Sequence, residues 1–378
     1  MPRRRLLLLA LLAGCAHSLP DEGSQPQEPP LGAGFYPRAL TYNEYDDRHP
    51  QWLPDGSAII YSTERGDQQS DRDRCLALIP AEGGTQLWRR CETRGAHYRD
   101  TTDVWEWPAV APDGRTFFVR TTGWSGLKKT GMPTIALAHG TDFENAVMVR
   151  RLPYISTSGL QVVLPWTPRW LSPTRVAYLG VLEFFEGSTF YPDTFFTGQE
   201  VTLLDLAGDS LAGYTVVPGT QYASSVATDG DPDVLYYTLN GDSMVYRRHL
   251  TGGQVDTVHN FGWGQVARDV TVRGTTLVAV VGDSIIWRNE AAHGWVQRDE
   301  GGDLVKVDLT TGLETRVSDV PLWLYRHPEL SPDGKRLVVE RQPFAEPPPG
   351  VLSDYNAMNH RADLWLFAMD QAPFGGGG

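Results

Sequence analysis

Cysteine is scarce in this sequence, long apolar runs are scarcer, and after Arg3-Arg4-Arg5 no basic run exceeds two residues. Each shortage removes a class of protein. Three cysteines in 378 residues cannot staple a small disulfide scaffold, and no Cys-x-x-Cys spacing offers a structural zinc site. The apolar run Leu6 to Ala13 is eight residues long, too short to span a bilayer. The formal charge is −13, which argues against nucleic acid or anionic lipid as a partner. His-Glu-x-x-His, a phosphate loop and an EF-hand loop are all missing. Gly123-Trp124-Ser125-Gly126 lacks the spacing and the strand–turn–helix setting of a hydrolase nucleophile. No catalytic constellation emerges, so the expectation from residues alone is a non-enzymatic protein without cofactor or metal.

The N-terminus reads as an address. Met-Pro-Arg-Arg-Arg is a charged leader, Leu6 to Ala13 its apolar core, and Leu12-Ala13-Gly14-Cys15 is similar to a bacterial lipobox. That resemblance implies a signal peptide over 1–14 and a lipidated Cys15, several acyl chains anchoring better than one. Ala16 in place of Asp points to the outer membrane, facing the periplasm. Residues 15–34 are polar and rich in Pro and Gly, a flexible tether.

What the chain has in plenty is glycine (39), proline (27) and aromatics (12 Trp, 15 Tyr, 13 Phe). These are organised by repetition. His-Pro-Gln-Trp-Leu-Pro-Asp-Gly-Ser-Ala-Ile-Ile-Tyr (49–61) returns as PAVAPDGRTFFV (108–119) and PELSPDGKRLVV (328–339), with a degenerate copy PRWLSPTRVAYL at 168–179. Proline presets φ, glycine accepts positive φ, and Asp-Gly between apolar segments signals a hairpin. Successive motif prolines lie 58, 60 and 160 residues apart. The long gap holds two weaker units, at 224–261 and at 264–287 continuing through 303–318. A period of this size marks a repeat architecture. Six units of four short strands make an all-β, six-bladed β-propeller of antiparallel blades over 35–374. A seventh blade would need an inner hairpin that is not found. The last unit shows three strands only, so FYPRALTYNEY (35–45) is expected to close the ring as its outer strand, removing an exposed edge.

The Pro-x-(Trp/Leu)-(Ser/Leu)-Pro-Asp-Gly motif followed by an apolar strand resembles the TolB-type, WD40-like propeller repeat, which also occurs in propellers of prolyl-oligopeptidase-like enzymes. The resemblance spans about 35–370. It implies fold far more than function.

Several residues carry candidate roles. Cys75 and Cys91 sit symmetrically about Gly83 in one hairpin. Opposed positions in an antiparallel pair are within disulfide reach; two free thiols or a metal pair are the alternatives. His49 and His327 each precede a motif proline as Arg-His-Pro and read first as structural hydrogen bonders, second as ligands or proton carriers at a channel mouth. Asp100, Asp103 and Glu106 read as a solvated loop before a calcium site. Trp105, Trp107, Trp166 and Trp170 read as blade packing before a sugar platform. Insertions at 121–134, 182–199 and 342–362 fall between second and third strands, so they should crowd one face, with His49, Trp107, Thr167 and His327 ringing the channel mouth there. Phe184, Phe185, Phe190 and Tyr191 then offer a contact surface for an envelope protein or peptide. The functional expectation is a lipid-anchored envelope scaffold that binds protein or peptide. The alternatives are a metal-dependent propeller enzyme acting on a glycan or lactone, and a periplasmic sensor of a small ligand.

Overall fold

A computed structural model describes residues 36–43, 45–64, 74–91, 103–122, 132–151, 154–157, 159–186, 193–283, 286–289, 294–297, 302–318, 323–343 and 362–370. The architecture is an all-β propeller of four-stranded antiparallel blades. Each expected Pro-motif hairpin forms: Arg48–Trp52 with Ala58–Glu64, Asp103–Val110 with Arg115–Thr122, Gly159–Ser172 with Arg175–Glu186, and Trp323–Leu330 with Arg336–Pro343. In the three Pro-Asp-Gly copies the turn glycine takes positive φ, at 71° for Gly56, 86° for Gly114 and 70° for Gly334, so the turn chemistry dictates the reversal.

The count of separate sheets differs from expectation. Four sheets stand as separate blades, not six: 154–216, 223–260, 265–316, and 323–368 together with Arg38–Ala39. The eight strands from Arg48 to Arg151 form one continuous sheet. Its two runs of four are joined by a single parallel bridge, Arg74↔Val104. The cause is local. Arg74 binds Asp46 at 2.6 Å and Glu106 at 2.9 Å, drawing the start of one run against the third strand of the other. The N-terminal segment contributes a two-residue strand, Arg38–Ala39, paired antiparallel with Asp363–Ala368. It is far shorter than the eleven-residue segment the sequence suggested.

Units pack face to face through apolar clusters. Trp107, Phe117 and Ile135 meet Val176 and Leu204. Leu179 and Leu203 meet Val226 and Leu235. Trp52, Ile59 and Tyr61, near the start of the chain, meet Val338, Leu364 and Leu366, near its end. Burying large side chains of this kind contributes about 1.5–3 kcal/mol each.

The insertion expected at 182–199 is strand at both of its described ends. Arg175–Glu186 and Asp193–Ala207 continue their pairing outward, with Phe184↔Phe195 and Phe185↔Thr194 opposed. The β-branched and aromatic run there favours an extended ladder. A further hairpin, Ile286–Asn289 with Gly294–Gln297, occupies the same place in the fifth unit and was not foreseen. Cys75 and Cys91 form a disulfide with Cα atoms 4.5 Å apart, and the neighbouring pair Leu76↔Arg90 shows the register about Gly83.

Candidate active site

The first strand of each unit carries the same irregularity. Pairing skips one residue between Arg48 and Gln51, Glu106 and Ala109, Trp166 and Arg169, Ala223 and Ser225, Ala267 and Asp269, and Arg326 and Glu329. These are β-bulges, which re-aim side chains near functional sites. In the four Pro-motif units the residue before proline occupies the left-handed region: His49 at φ 55°, Trp107 at 55°, Thr167 at 46° and His327 at 46°. A residue before proline is normally pushed to extended backbone, and a β-branched residue such as Thr167 is the least suited to positive φ. Such strain costs of order 1–3 kcal/mol per residue and persists only where the surroundings enforce it.

The bulges bring distant residues together. The His49 ring stacks on the Trp107 ring at 3.5 Å between centroids. His327 meets His49 at 5.1 Å and Trp107 edge-on at 4.9 Å. Trp166 stacks on Trp107 at 5.9 Å. Three different units thus supply one aromatic and imidazole cluster, and a fourth adds Trp166. Trp105 and Trp170 lie elsewhere. Trp105 is core against Phe118 and Phe143, and Trp170 donates its indole N–H to the Ala109 carbonyl at 2.9 Å.

Glu340 organises the histidines. Its Oε1 accepts the His49 backbone N–H and lies 2.7 Å from His327 Nδ1. Asp269 Oδ2 accepts the His327 backbone N–H at 3.1 Å. Burial alone would push the His327 imidazole down. The Glu340 and Asp269 carboxylates outweigh it and hold that imidazole above its usual range. Burial likewise works against ionised Glu340, but His327 keeps its carboxyl below the usual range. His49 behaves oppositely: burial, reinforced by His327 and nearby arginines, places it well below the ordinary imidazole range. His49 is 8 % exposed, and its Nδ1 is buried without a hydrogen-bond partner.

A charged layer flanks this cluster. Arg48 and Arg74 both reach Asp46 Oδ2 at 2.6 Å. Burial opposes ionised Asp46, yet these two guanidinium groups hold its carboxyl low. The Glu106 side chain keeps 26 % accessibility, but its carboxyl lies deep in the protein. Burial raises its pKa, with Arg74 and Arg48 offsetting only part. The carboxyl of Asp47, one residue from Asp46, is pushed up to about 7 by burial, against a hydrogen bond from the Asn43 amide at 2.8 Å. Arg169 of the third unit meets Glu329 of the last at 2.9 Å, both buried, and Gln51 of the first approaches the same carboxylate at 3.5 Å. First strands from non-consecutive units therefore converge on a common axis.

The donor set suits a metal ion. Ligand atoms of His49, His327 and Glu340 all lie within 4.8 Å of one another. Two imidazoles and a carboxylate match zinc, manganese or iron, whereas calcium prefers six to eight oxygens. Of the acidic residues read as a solvated loop before a calcium site, Glu106 pairs with Arg74 at 2.9 Å, Asp103 is described in backbone only, and Asp100 lies outside the described residues. Cys15, Phe190 and Tyr191 also lie outside them, and Phe184 and Phe185 are described in backbone only. Glu340, Asp269, Asp46 and Arg74 escaped the sequence reading. Glu340 left one signal, a lone charge ending the apolar run of KRLVVE.

No family model matches the sequence, and no curated protein matches it. Solved structures share the fold at low identity. Regucalcin, a calcium-binding protein from Agrobacterium tumefaciens, aligns at 12 % identity and a TM-score of 0.52, over 90 % of this chain and 96 % of that one. An oligogalacturonate lyase in complex with manganese aligns at 13 % identity and a TM-score of 0.46, over 91 % and 96 %. TolB from Acinetobacter baumannii aligns at 12 % identity and a TM-score of 0.44, over 87 % of this chain and 64 % of that one. The expectation that no catalytic constellation exists is corrected by the geometry itself: His49, Trp107, His327 and Glu340 converge in one cluster that a motif search could not see. The likeness to regucalcin bears on the fold alone, and the four-stranded antiparallel sheets themselves show that the chain is a β-propeller.

Proposed function

We propose that this chain is an enzyme acting on a glycan or lactone, with its active site at the axial cluster of His49, Trp107, Trp166, His327 and Glu340. The observation that carries the reading is the convergence of three strained residues, His49, Trp107 and His327, within 5.1 Å ring to ring. Backbone strain held at one spot by three separate hairpins is a mark of pre-organisation. The stacked indoles offer a face for a sugar ring, and the imidazole and carboxylate groups beside them offer polar contacts to its oxygens. The working form in this reading is a closed ring of six units, the first two fused along one sheet, and anchored to the cell envelope through Cys15; the sequence of the leader supports the anchor.

The test is a panel of polysaccharides and lactones with the purified chain, scored by release of reducing ends or of acid. Turnover of a panel member should fall by about 100-fold or more in Trp107→Ala and His327→Gln with the melting temperature within a few degrees. Absence of turnover across the panel, or turnover that both variants retain, would overturn the reading.

A further inference from the structure

We infer that His49, His327 and Glu340 bind one divalent cation of the zinc, manganese or iron class, a proposal that rests on the axial cluster being the active site. Three observations converge. The donor atoms lie within 4.8 Å of one another and come from two ends of the chain, on Arg48–Trp52, Trp323–Leu330 and Arg336–Pro343. The His49 Nδ1 is buried and has no partner, although an orphaned buried nitrogen costs free energy. Left-handed backbone at both histidines keeps them at the cluster, at a cost that hydrogen bonding to one carboxylate does not require.

Local charge permits a cation. The guanidinium groups of Arg48 and Arg74 are engaged by Asp46, and Arg74 also by Glu106. Asp269 adds a further carboxylate behind His327. The ligand types exclude a calcium preference, since two of three donors are nitrogen. Such an ion would supply Lewis acidity toward a substrate oxygen. The residues of this chain would bind it, hold the His327 backbone through Asp269, and keep Trp107 against His49.

The experiment uses the full chain, stripped with chelator and titrated separately with Zn2+, Mn2+ and Ca2+. Calorimetry follows each titration, and loss of the free-ion signal in electron paramagnetic resonance follows Mn2+. The expected result is one equivalent of Zn2+ or Mn2+, with Ca2+ weaker by about 100-fold. His327→Gln and His49→Ala should weaken binding by about 100-fold and Glu340→Gln by about 10-fold or more, while His139→Ala changes nothing. A rise in the wild-type melting temperature on adding Mn2+ supports the site without relying on a variant. Absence of Mn2+ and Zn2+ binding, or stoichiometric binding unchanged in folded His327→Gln, would overturn the inference. Turnover that survives complete stripping overturns the metal and leaves the enzyme reading standing. Stoichiometric binding lost in His327→Gln, with no turnover of any glycan or lactone, supports the metal and overturns the substrate reading.

Discussion

The Pro-motif units and the two units between them use one backbone device for different ends. In both groups the first strand is bulged. In three of the Pro-motif units the left-handed residue is buried, His49 at 8 %, Trp107 at 7 % and Thr167 at 5 % exposed, and in the fourth His327 is half-buried. In the fourth unit the bulge falls at Ser224, which is not left-handed, and the left-handed residue nearby, Tyr222 at φ 68°, sits 62 % exposed in the turn before the strand. In the fifth unit, none of the residues Gln265–Arg273 takes positive φ, and the bulge instead presents Asp269 to the His327 backbone. The bulge is therefore a property of the scaffold. Which side chain stands on it decides what that unit contributes to the axial cluster.

The comparison breaks most readily at the axis. Arg169→Met leaves Glu329 buried without its guanidinium partner, and a loss of about 3–5 kcal/mol is expected in urea unfolding. The double variant Arg169→Met with Glu329→Leu should recover most of that loss, because it removes both charges. An axis that is mere filler would show the single variant within experimental error of wild type.

Next in size is the disulfide of the first unit. Cys75→Ser with Cys91→Ser should cost about 3 kcal/mol by the chain-entropy argument, read as a lower midpoint in denaturant under non-reducing conditions. Reduction of the wild type should reproduce the same shift.

A smaller, pH-dependent effect belongs to the charged layer. Asp46 has a folded pKa below its ordinary value of 3.8. Its stabilising contribution is complete above that ordinary value and is lost as pH falls through the lower folded value. Asp46→Asn should therefore lower stability at neutral pH and flatten the acid limb of the stability profile. A profile parallel to wild type between pH 5 and 2 would contradict the assignment.

The smallest effects sharpen the contrast between the two groups of units. Thr167→Gly relieves positive φ on a β-branched residue and should raise stability by about 1 kcal/mol, after the entropy cost of glycine. Tyr222→Ala, on an exposed turn, should stay within about 0.5 kcal/mol of wild type and leave turnover and metal binding unchanged. A loss of binding in Tyr222→Ala would extend the site into the fourth unit.

Much of the scaffold was readable before any coordinates. Pro-Asp-Gly turns are decided by neighbours one or two residues away, so hairpins such as Arg48–Trp52 with Ala58–Glu64 follow from local φ preferences. The pairing of Cys75 with Cys91 follows from hairpin register for the same reason. The repeat pattern also named His49, Trp107 and His327 as equivalent positions, because equivalent positions in a repeat share a place. Long-range arrangement was not readable. Glu340 reaches the His49 backbone across 291 residues of chain, and nothing local to KRLVVE says which unit it will face. The fusion of two units through Arg74 depends on Asp46 and Glu106 arriving from separate strands. Short-range sterics wrote the hairpins into the sequence. Only the tertiary packing of units decided that two histidines, a tryptophan and a buried carboxylate share one site, because their meeting depends on how whole sheets tilt and twist around the axis.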